Sequence, residues 1–262
     1  MSAPANDDQP TGADSSAQRV LVVIPTYNEI DNIEQIIGRV LASVPAATVL
    51  VVDDGSPDGT GPFADKLAAA DDRIHVLHRT AKAGLGAAYI AGFDWGRNAG
   101  FDVLVEMDAD GSHRPEQLPL LLDRLTDADV VLGSRWVAGG EVLNWPRSRE
   151  VLSRGGNLYA RLALGIELRD ATGGYRAYRR QVLDVIDYRA VASQGYCFQV
   201  DLALRALRGG FRVVEVPITF AERERGESKM DNSIVREAFL RVTQWGVEHR
   251  VRQVRHRLTG RT

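Results

Sequence analysis

Short apolar runs rich in β-branched residues alternate with helical patterns through the first half of the chain, and this alternation is the strongest constraint on its fold. The apolar runs cover residues 19–25, 48–54, 74–78, 102–108 and 129–135. The helical patterns between them cover residues 32–43, 63–70, 85–98 and 115–125. Strands and helices in alternation build βαβ units, so we expect an α/β fold with a mostly parallel, doubly wound, Rossmann-like sheet flanked by helices.

The second half of the chain has a less regular pattern. Residues 136–150 resemble a loop, with paired glycines and a proline. Residues 153–164 then predict a helix, and residues 210–220 predict another strand. Towards the end, apolar residues recur at spacings of three and four, which is typical of an amphipathic helical segment.

The composition changes at both ends and suggests three parts. Residues 1–18 are polar and small, so we expect a disordered arm. Residues 19–232 would form the α/β domain. Residues 233–262 would form a basic, amphipathic C-terminal helical segment, because seven arginines lie between positions 235 and 262 against two glutamates. Such a tail indicates an anionic partner, although the chain as a whole carries a net charge of −3.

Cysteine content and hydropathy exclude several classes of protein. Cys197 is the single cysteine, which excludes an internal disulfide framework and suits a reducing compartment. No apolar stretch reaches the ~18 residues of a membrane span. The N-terminus lacks the basic and apolar pattern of a secretory signal, so we expect a cytoplasmic protein.

Polar residues follow three of the early strands at the point where each should end. They are the sequences PTYNE at 25–29, DDGS at 53–56 and DAD at 108–110. Ligands of open α/β sheets bind outside the carboxyl ends of the strands, so these segments should converge on one crevice. Turn chemistry would explain any one of them. Their recurrence after three strands favours a binding site.

Asp108 and Asp110 are the most informative of these residues. Alternate residues of an extended segment point the same way, so both carboxylates can face one ion. Hard oxygen ligands suit Mg²⁺ or Mn²⁺, and Mg²⁺ commonly binds one or two carboxylates together with substrate phosphates. The chain has no P-loop, and no dinucleotide-binding glycine motif follows its first strand. Gly84 and Gly86 instead predict a turn that leads into a helix N-terminus, near a phosphate.

Seven segments in order resemble one family. They are PTYNE (25–29), VVDDGSPDGT (51–60), AGLGAAYIAG (83–92), MDADGSHRPE (107–116), GSRW (133–136), DATGGYRAYRR (170–180) and RERGESKM (223–230). The set is similar to the polyprenyl-phosphate (dolichyl-phosphate) mannose synthases, which are inverting family 2 glycosyltransferases with a GT-A fold. The resemblance spans residues 19–232. The motif of processive synthases, Q-x-x-R-W, is absent, so polymer synthesis is not expected.

The resemblance implies roles for particular residues. The nucleotide would be bound by Pro25, Tyr27, Glu29, Val52 and Asp54, with Asp53 pointing to the opposite side. The metal and the diphosphate would be bound by Asp108 and Asp110, with backbone contact from Ala109. Ser112 lies where some relatives have a glutamine that binds the metal, so its direct ligation is left open. The diphosphate and the acceptor phosphate would be contacted by Arg135, Arg149, Arg223 and Lys229.

The implied reaction moves mannose from GDP-mannose to a polyprenyl monophosphate with inversion. A sugar hydroxyl as acceptor would need a general base, for which Asp170 and His113 are the candidates. A phosphate acceptor is already largely ionised at neutral pH, since its second pKa is about 6. Two alternatives remain: a glucosyltransferase that uses UDP-glucose, and a non-catalytic nucleotide-sugar binding protein.

A lipid acceptor requires contact with a membrane. The basic tail could supply it, with arginines at anionic head groups and Trp245 and valines at the acyl boundary. The tail could equally be a helix that packs on the domain, and an integral-membrane partner protein could provide the anchor. We therefore expect a peripheral protein on the cytoplasmic face of the membrane, with no nucleic-acid partner.

Overall fold

The computed structural model describes residues 18–191, 196–222 and 240–247. The strands are β1 (Val20–Thr26), β2 (Thr48–Asp53), β3 (Ile74–His78), β4 (Val103–Glu106), β5 (Val130–Ser134), β6 (Glu141–Leu143), β7 (Arg176–Arg179), β8 (Val213–Pro217) and β9 (Thr219–Ala221). The helices are α1 (Ile33–Ser43), α2 (Thr60–Ala70), α3 (Leu85–Asn98), α4 (Leu118–Arg124), α5 (Arg147–Leu164), α6 (Arg180–Val185), α7 (Tyr196–Arg208) and α8 (240–247).

Seven strands form the main sheet, in the order β3-β2-β1-β4-β7-β5-β8. Strands β3, β2, β1 and β4 are parallel to one another, and β5 is parallel to β8. Strand β7 lies between the two parallel groups and is antiparallel to both β4 and β5. A parallel pair, β6 and β9, forms a second small sheet. The expected mostly parallel sheet is confirmed.

The sheet is buried on both faces, which explains why β1, β2 and β5 are nearly continuous apolar runs rather than alternating ones. Leu21 and Val23 of β1 pack with α3, α5, α6 and α7 in one core cluster. Val22 and Ile24 point to the other face and pack with α1, α2 and α4. Helices therefore cover both faces, as the sequence pattern predicts.

Several elements differ from the sequence-based expectation. The fourth strand ends at Glu106, so Asp108 lies in the loop beyond it. The segment expected to be a loop at 136–150 contains β6 and the first turn of α5. Strand β7 and helices α6 and α7 were not predicted. Strand β7 is four residues long and begins with a buried arginine, so it carries no apolar pattern.

The expected terminal parts fall mostly outside the described residues, which include only residue 18 of the arm. Within the tail, α8 packs on the domain. Val242 is buried in the core cluster with Trp245 against it, and the Tyr159 hydroxyl lies 2.6 Å from Thr243 Oγ1. Trp245 thus contacts the core, which differs from the suggested place at an acyl boundary. Among the described helices, none is long and apolar enough to cross a bilayer.

Candidate functional site

Strands β2, β1 and β4 are adjacent and parallel, so the polar residues that follow them lie at one edge of the sheet. The loops after β1 and β2 are joined directly. The Thr26 hydroxyl donates to Asp53 Oδ1 at 3.1 Å, and the Asp54 amide donates to the Thr26 carbonyl at 3.1 Å. The predicted convergence of these segments is confirmed.

Asp53 stabilises the loops that follow β1 and β2. It is 3% exposed and accepts hydrogen bonds from the Ser56 amide at 3.2 Å and the Ser56 hydroxyl at 2.5 Å. The Ser56 hydroxyl in turn accepts from the amide of Asn28, which has a positive φ of 59°. Glu29 is fixed similarly, since its amide donates to Thr60 Oγ1 at 3.0 Å. Asp53 is therefore engaged within the protein.

Asp54 faces a different set of partners. Its carboxylate forms an ion pair with Arg79 at 2.5 Å and accepts from the Ala83 amide at 3.3 Å. Burial raises the pKa of Asp54, although Arg79 opposes this effect. Arg79 and Ala83 lie in the loop between β3 and α3. The same loop brings Lys82 Nζ to 4.1 Å from the Tyr27 ring centroid. The loop between β3 and α3 thus adds basic residues to the edge that carries Tyr27 and Asp54.

The remaining nucleotide residues are placed by the β1–β2 ladder, in which Pro25 pairs with Val52. Pro25 is partly exposed, whereas the Val52 side chain is completely buried in the core. Ala109 is also buried, at 3% exposure. Neither side chain is therefore accessible to a ligand in this structure.

Asp108 and Asp110 are held in different ways. Asp108 Oδ1 accepts from the Tyr89 hydroxyl at 3.0 Å, and the Asp108 amide donates to His113 Nδ1 at 3.1 Å. Asp110 Oδ1 accepts from the Ser112 amide at 3.0 Å. The side chain of Asp108 is 28% exposed, whereas Asp110 is 6% exposed. Each carboxylate is oriented by at least one hydrogen bond from the protein.

The donor set fits a divalent cation that also binds its substrate. In the described ranges, no group of three or more His, Cys, Asp or Glu side chains could hold a metal. The carboxylates of Asp108 and Asp110 would then supply part of the coordination shell of the ion. Diphosphate oxygens and water would complete that shell, as is typical of Mg²⁺. The Ser112 hydroxyl is buried beside them and has no hydrogen-bond partner in the described structure. It is a candidate contact for a water of such an ion.

The two candidate bases are both buried. His113 is 1% exposed and stacks on Tyr175, with 5.0 Å between ring centroids. Burial lowers its pKa. Asp170 is fully buried, and the charge and hydrogen bonds of Arg135 hold its pKa below the usual value despite that burial. Each group is also engaged with the protein, since His113 Nδ1 accepts from the Asp108 amide and Asp170 accepts from Arg135.

Arg135 and Arg149 meet at an aromatic cluster. Arg135 donates to Asp170 through Nε and Nη2, at 2.7 and 2.6 Å. Its guanidinium carbon lies 5.5 Å from the Trp145 ring centroid, and that of Arg149 lies 4.1 Å from the same ring. Arg149 also forms an ion pair with Glu222 at 2.7 Å. Arg223 and Lys229 lie outside the described residues.

Buried polar residues that the sequence analysis did not assign lie behind the carboxylates. Glu106 is fully buried and lies opposite Arg176 in the register of β4 and β7. Burial raises the pKa of Glu106 to about 8, and the nearby Arg176 opposes this shift. Arg176 itself donates to the carbonyls of Ala171, Gly173 and Gln199, each at 2.7 Å. The sequence signal that could have identified these residues is Glu106 itself, because it is the single charged residue in the apolar run of β4.

Comparison with known proteins supports this architecture. The chain is 58% identical to polyprenol monophosphomannose synthase of Mycolicibacterium smegmatis, covering 97% of this chain and 98% of that protein. It is 59% identical to undecaprenyl-phosphate mannosyltransferase of Micrococcus luteus, covering 92% and 99%. It is 36% identical to dolichol-phosphate mannosyltransferase of Pyrococcus furiosus, covering 83% and 60%.

The fold also matches solved structures. Glucosyl-3-phosphoglycerate synthase from Mycobacterium tuberculosis, in complex with Mn²⁺, UDP and phosphoglyceric acid, aligns with a TM-score of 0.64 at 19% identity. The alignment covers 88% of this chain and 79% of that one. The family model of glycosyl transferase family 2 matches residues 21–187, which is more than half of the chain. The chain therefore belongs to glycosyl transferase family 2.

Proposed function

We propose that the protein is an inverting glycosyltransferase that moves mannose from GDP-mannose to a polyprenyl monophosphate. The names of its relatives support mannosyl transfer to a polyprenyl phosphate. The observation that carries the proposal is the pair Asp108 and Asp110, oriented at the same sheet edge as the segments that follow β1 and β2.

The nucleotide of the donor would lie between the loops after β1, β2 and β3. Tyr27 and Lys82 offer an aromatic face and a cation, and Glu29 is held in place through its backbone. Asp54 lies beside them with Arg79. Pro25, which is partly exposed, would contact the nucleotide at the end of β1, and the buried Val52 pairs with it in β2.

Asp108 and Asp110 would hold Mg²⁺ or Mn²⁺ together with the donor diphosphate. When bound, the divalent ion supplies positive charge that stabilises the leaving diphosphate. The Asp108 carboxylate that would bind the ion is already oriented by the hydrogen bond from the Tyr89 hydroxyl. Ala109 and Ser112 would contact the diphosphate or a metal-bound water through the loop that links them.

The acceptor phosphate would attack the anomeric carbon from the face opposite the diphosphate, which inverts that centre. Arg149, Arg223 and Lys229 would bind the phosphates. Arg135 would contribute positive charge while it remains paired with Asp170. No general base is required, because the acceptor oxygen is already ionised. The burial of the two candidate bases, His113 and Asp170, agrees with a reaction that needs no general base.

The acceptor places the reaction at a membrane surface. The five arginines after residue 248 would bind anionic head groups, and an integral-membrane partner protein could add a further anchor. We propose a peripheral association with the cytoplasmic face.

The test is transfer of labelled sugar to a short polyprenyl phosphate in the presence of Mg²⁺ or Mn²⁺. We expect a charged, mild-acid-labile lipid product from GDP-mannose and none from UDP-glucose. Asp110→Ala should abolish the product without unfolding the chain. Asp123→Ala removes an exposed carboxylate of α4 and should have no effect. A product from UDP-glucose alone would reassign the donor, and full activity of Asp110→Ala would reject the metal site.

A further inference from the structure

Tyr89 connects the helical layer to the proposed metal site. It lies in α3, is completely buried, and donates its hydroxyl hydrogen to Asp108 Oδ1 at 3.0 Å. Tyr89 belongs to the AGLGAAYIAG segment at 83–92, for which the family resemblance implies no role of an individual residue. Its contact with Asp108 gives this helix a direct role at the site.

Glycines of α3 allow Tyr89 to reach Asp108. A Cβ atom at Gly92 would lie 2.3 Å from Val23 Cγ1, and one at Gly86 would lie 2.7 Å from Phe198 Cδ2. Both distances are shorter than any normal contact, so side chains at these positions would force α3 away from β1 and α7. The Tyr89 ring is then fixed by stacking on Phe198, with 6.2 Å between centroids and 10° between planes.

A second buried tyrosine shows that packing alone does not require such a hydrogen bond. Tyr178 is also completely buried and belongs to the same core cluster as Tyr89. Its hydroxyl lies beside the buried Arg176 guanidinium and meets no carboxylate of the described residues at hydrogen-bond distance. The two side chains are thus alike in burial and differ in whether the hydroxyl contacts a carboxylate.

We propose that Tyr89 is a positioning residue that holds the Asp108 carboxylate in the orientation that binds the divalent cation. The inference rests on the proposed function, because it takes Asp108 and Asp110 as the metal ligands. A carboxylate free to rotate must lose that freedom when it binds the ion, whereas a hydrogen bond from a rigid neighbour removes this cost beforehand. Outer partners of metal ligands typically change metal affinity by about 10–100-fold.

The experiment measures Mn²⁺ binding in the presence of GDP, by the loss of the electron paramagnetic resonance signal of free Mn²⁺. Tyr89→Phe keeps the ring and removes the hydroxyl, and we expect its Mn²⁺ dissociation constant to rise about tenfold. Tyr178→Phe is the matched control and should stay within about twofold of the parent. In transfer assays, the Mn²⁺ concentration at half-maximal rate should rise for Tyr89→Phe, while the rate at saturating Mn²⁺ recovers.

Recovery at high metal separates positioning from structural damage, because a distorted site would not be restored by more Mn²⁺. Thermal melting of the two Phe variants provides the check that both fold. Unchanged Mn²⁺ affinity in Tyr89→Phe, or an equal loss in Tyr178→Phe, would overturn the inference. Asp108→Ala is measured alongside them. If that variant binds Mn²⁺ as tightly as the parent, the metal site of the proposed function fails instead.

Discussion

Arg135 and Asp170 form a two-point ion pair in the interior of the protein, with 4% and 0% of the residues exposed. The pair joins the end of β5 to the segment before β7, and the Arg135 amide also donates to Asp170 Oδ2 at 2.9 Å. The ring centroid of Phe220, in β9, lies 5.3 Å from the Arg135 guanidinium carbon. One buried contact therefore connects both sheets beside the proposed phosphate-binding arginines.

Loss of one partner of this ion pair should be strongly destabilising. Asp170→Ala leaves the Arg135 charge buried without its carboxylate, which typically costs about 3–5 kcal/mol. The control is Glu150→Ala, which breaks an exposed ion pair with Arg154 one turn further along α5. This change should cost about 0.3–0.5 kcal/mol. Urea unfolding measures both changes. Similar losses in the two variants would contradict the structural role of the buried pair.

Glu106 should make stability fall as pH rises above about 4.5. The folded chain keeps the proton up to about pH 8, whereas an unfolded chain loses it near 4.5. Within that window the folded state binds more protons, so the free energy of unfolding falls by up to about 1.4 kcal/mol per pH unit. Glu106→Gln should reduce this slope between pH 6 and 8, measured by urea unfolding in EDTA.

Glu116 provides the control for this pH experiment. Its hydrogen bonds with Arg39 lower its pKa, so it is ionised in both folded and unfolded states between pH 6 and 8. Glu116→Gln should leave the slope unchanged. An unaltered slope in Glu106→Gln would show that Glu106 is ionised in the folded chain.

Two glycine substitutions in helices should have opposite effects. Gly92→Ala places a methyl group 2.3 Å from Val23 Cγ1, and overpacking of this kind typically costs about 1–3 kcal/mol. Gly38 lies inside α1, and no atom lies within 4 Å of the position that an alanine methyl group would take there. Gly38→Ala should therefore stabilise the chain by up to about 1 kcal/mol. Thermal unfolding distinguishes them, and a neutral Gly92→Ala would refute the close approach of α3 to β1.

Removal of the tail should weaken vesicle binding more than donor binding. Helix α8 packs on the domain as far as Gly246, where a Cβ atom would lie 2.7 Å from the Ala163 carbonyl oxygen, so the cut belongs after residue 247. The lost segment carries five arginines, at 250, 252, 255, 257 and 261. Each basic residue near an anionic surface contributes about 1 kcal/mol. Sedimentation with anionic vesicles measures the loss.

A full-length variant with these five arginines changed to glutamine separates charge from chain length. It should bind anionic vesicles as weakly as the truncated protein, while GDP binding stays unchanged in both. Equal vesicle binding by the parent and the truncated protein would reject the tail as a membrane contact.

Local sequence was sufficient to predict the first five strands, the helices between them and the convergence of PTYNE, DDGS and DAD. Helix α3 begins and ends where the pattern predicts, at Leu85 and Asn98. These features depend on residue spacing within one element and on the rule that parallel strands end at one edge. Strand β7 was missed because its short polar sequence is buried by its position in the sheet.

The amino-acid sequence by itself therefore determined the α/β architecture and the family, and it singled out Asp108 and Asp110 as candidate carboxylates. Only the tertiary structure decided which partners those residues have. Tyr89 reaches Asp108 across 19 positions and Arg135 reaches Asp170 across 35. The physical reason is that such contacts form between elements that pack only after the sheet assembles, and neither periodicity nor residue type specifies which buried donor will meet which carboxylate.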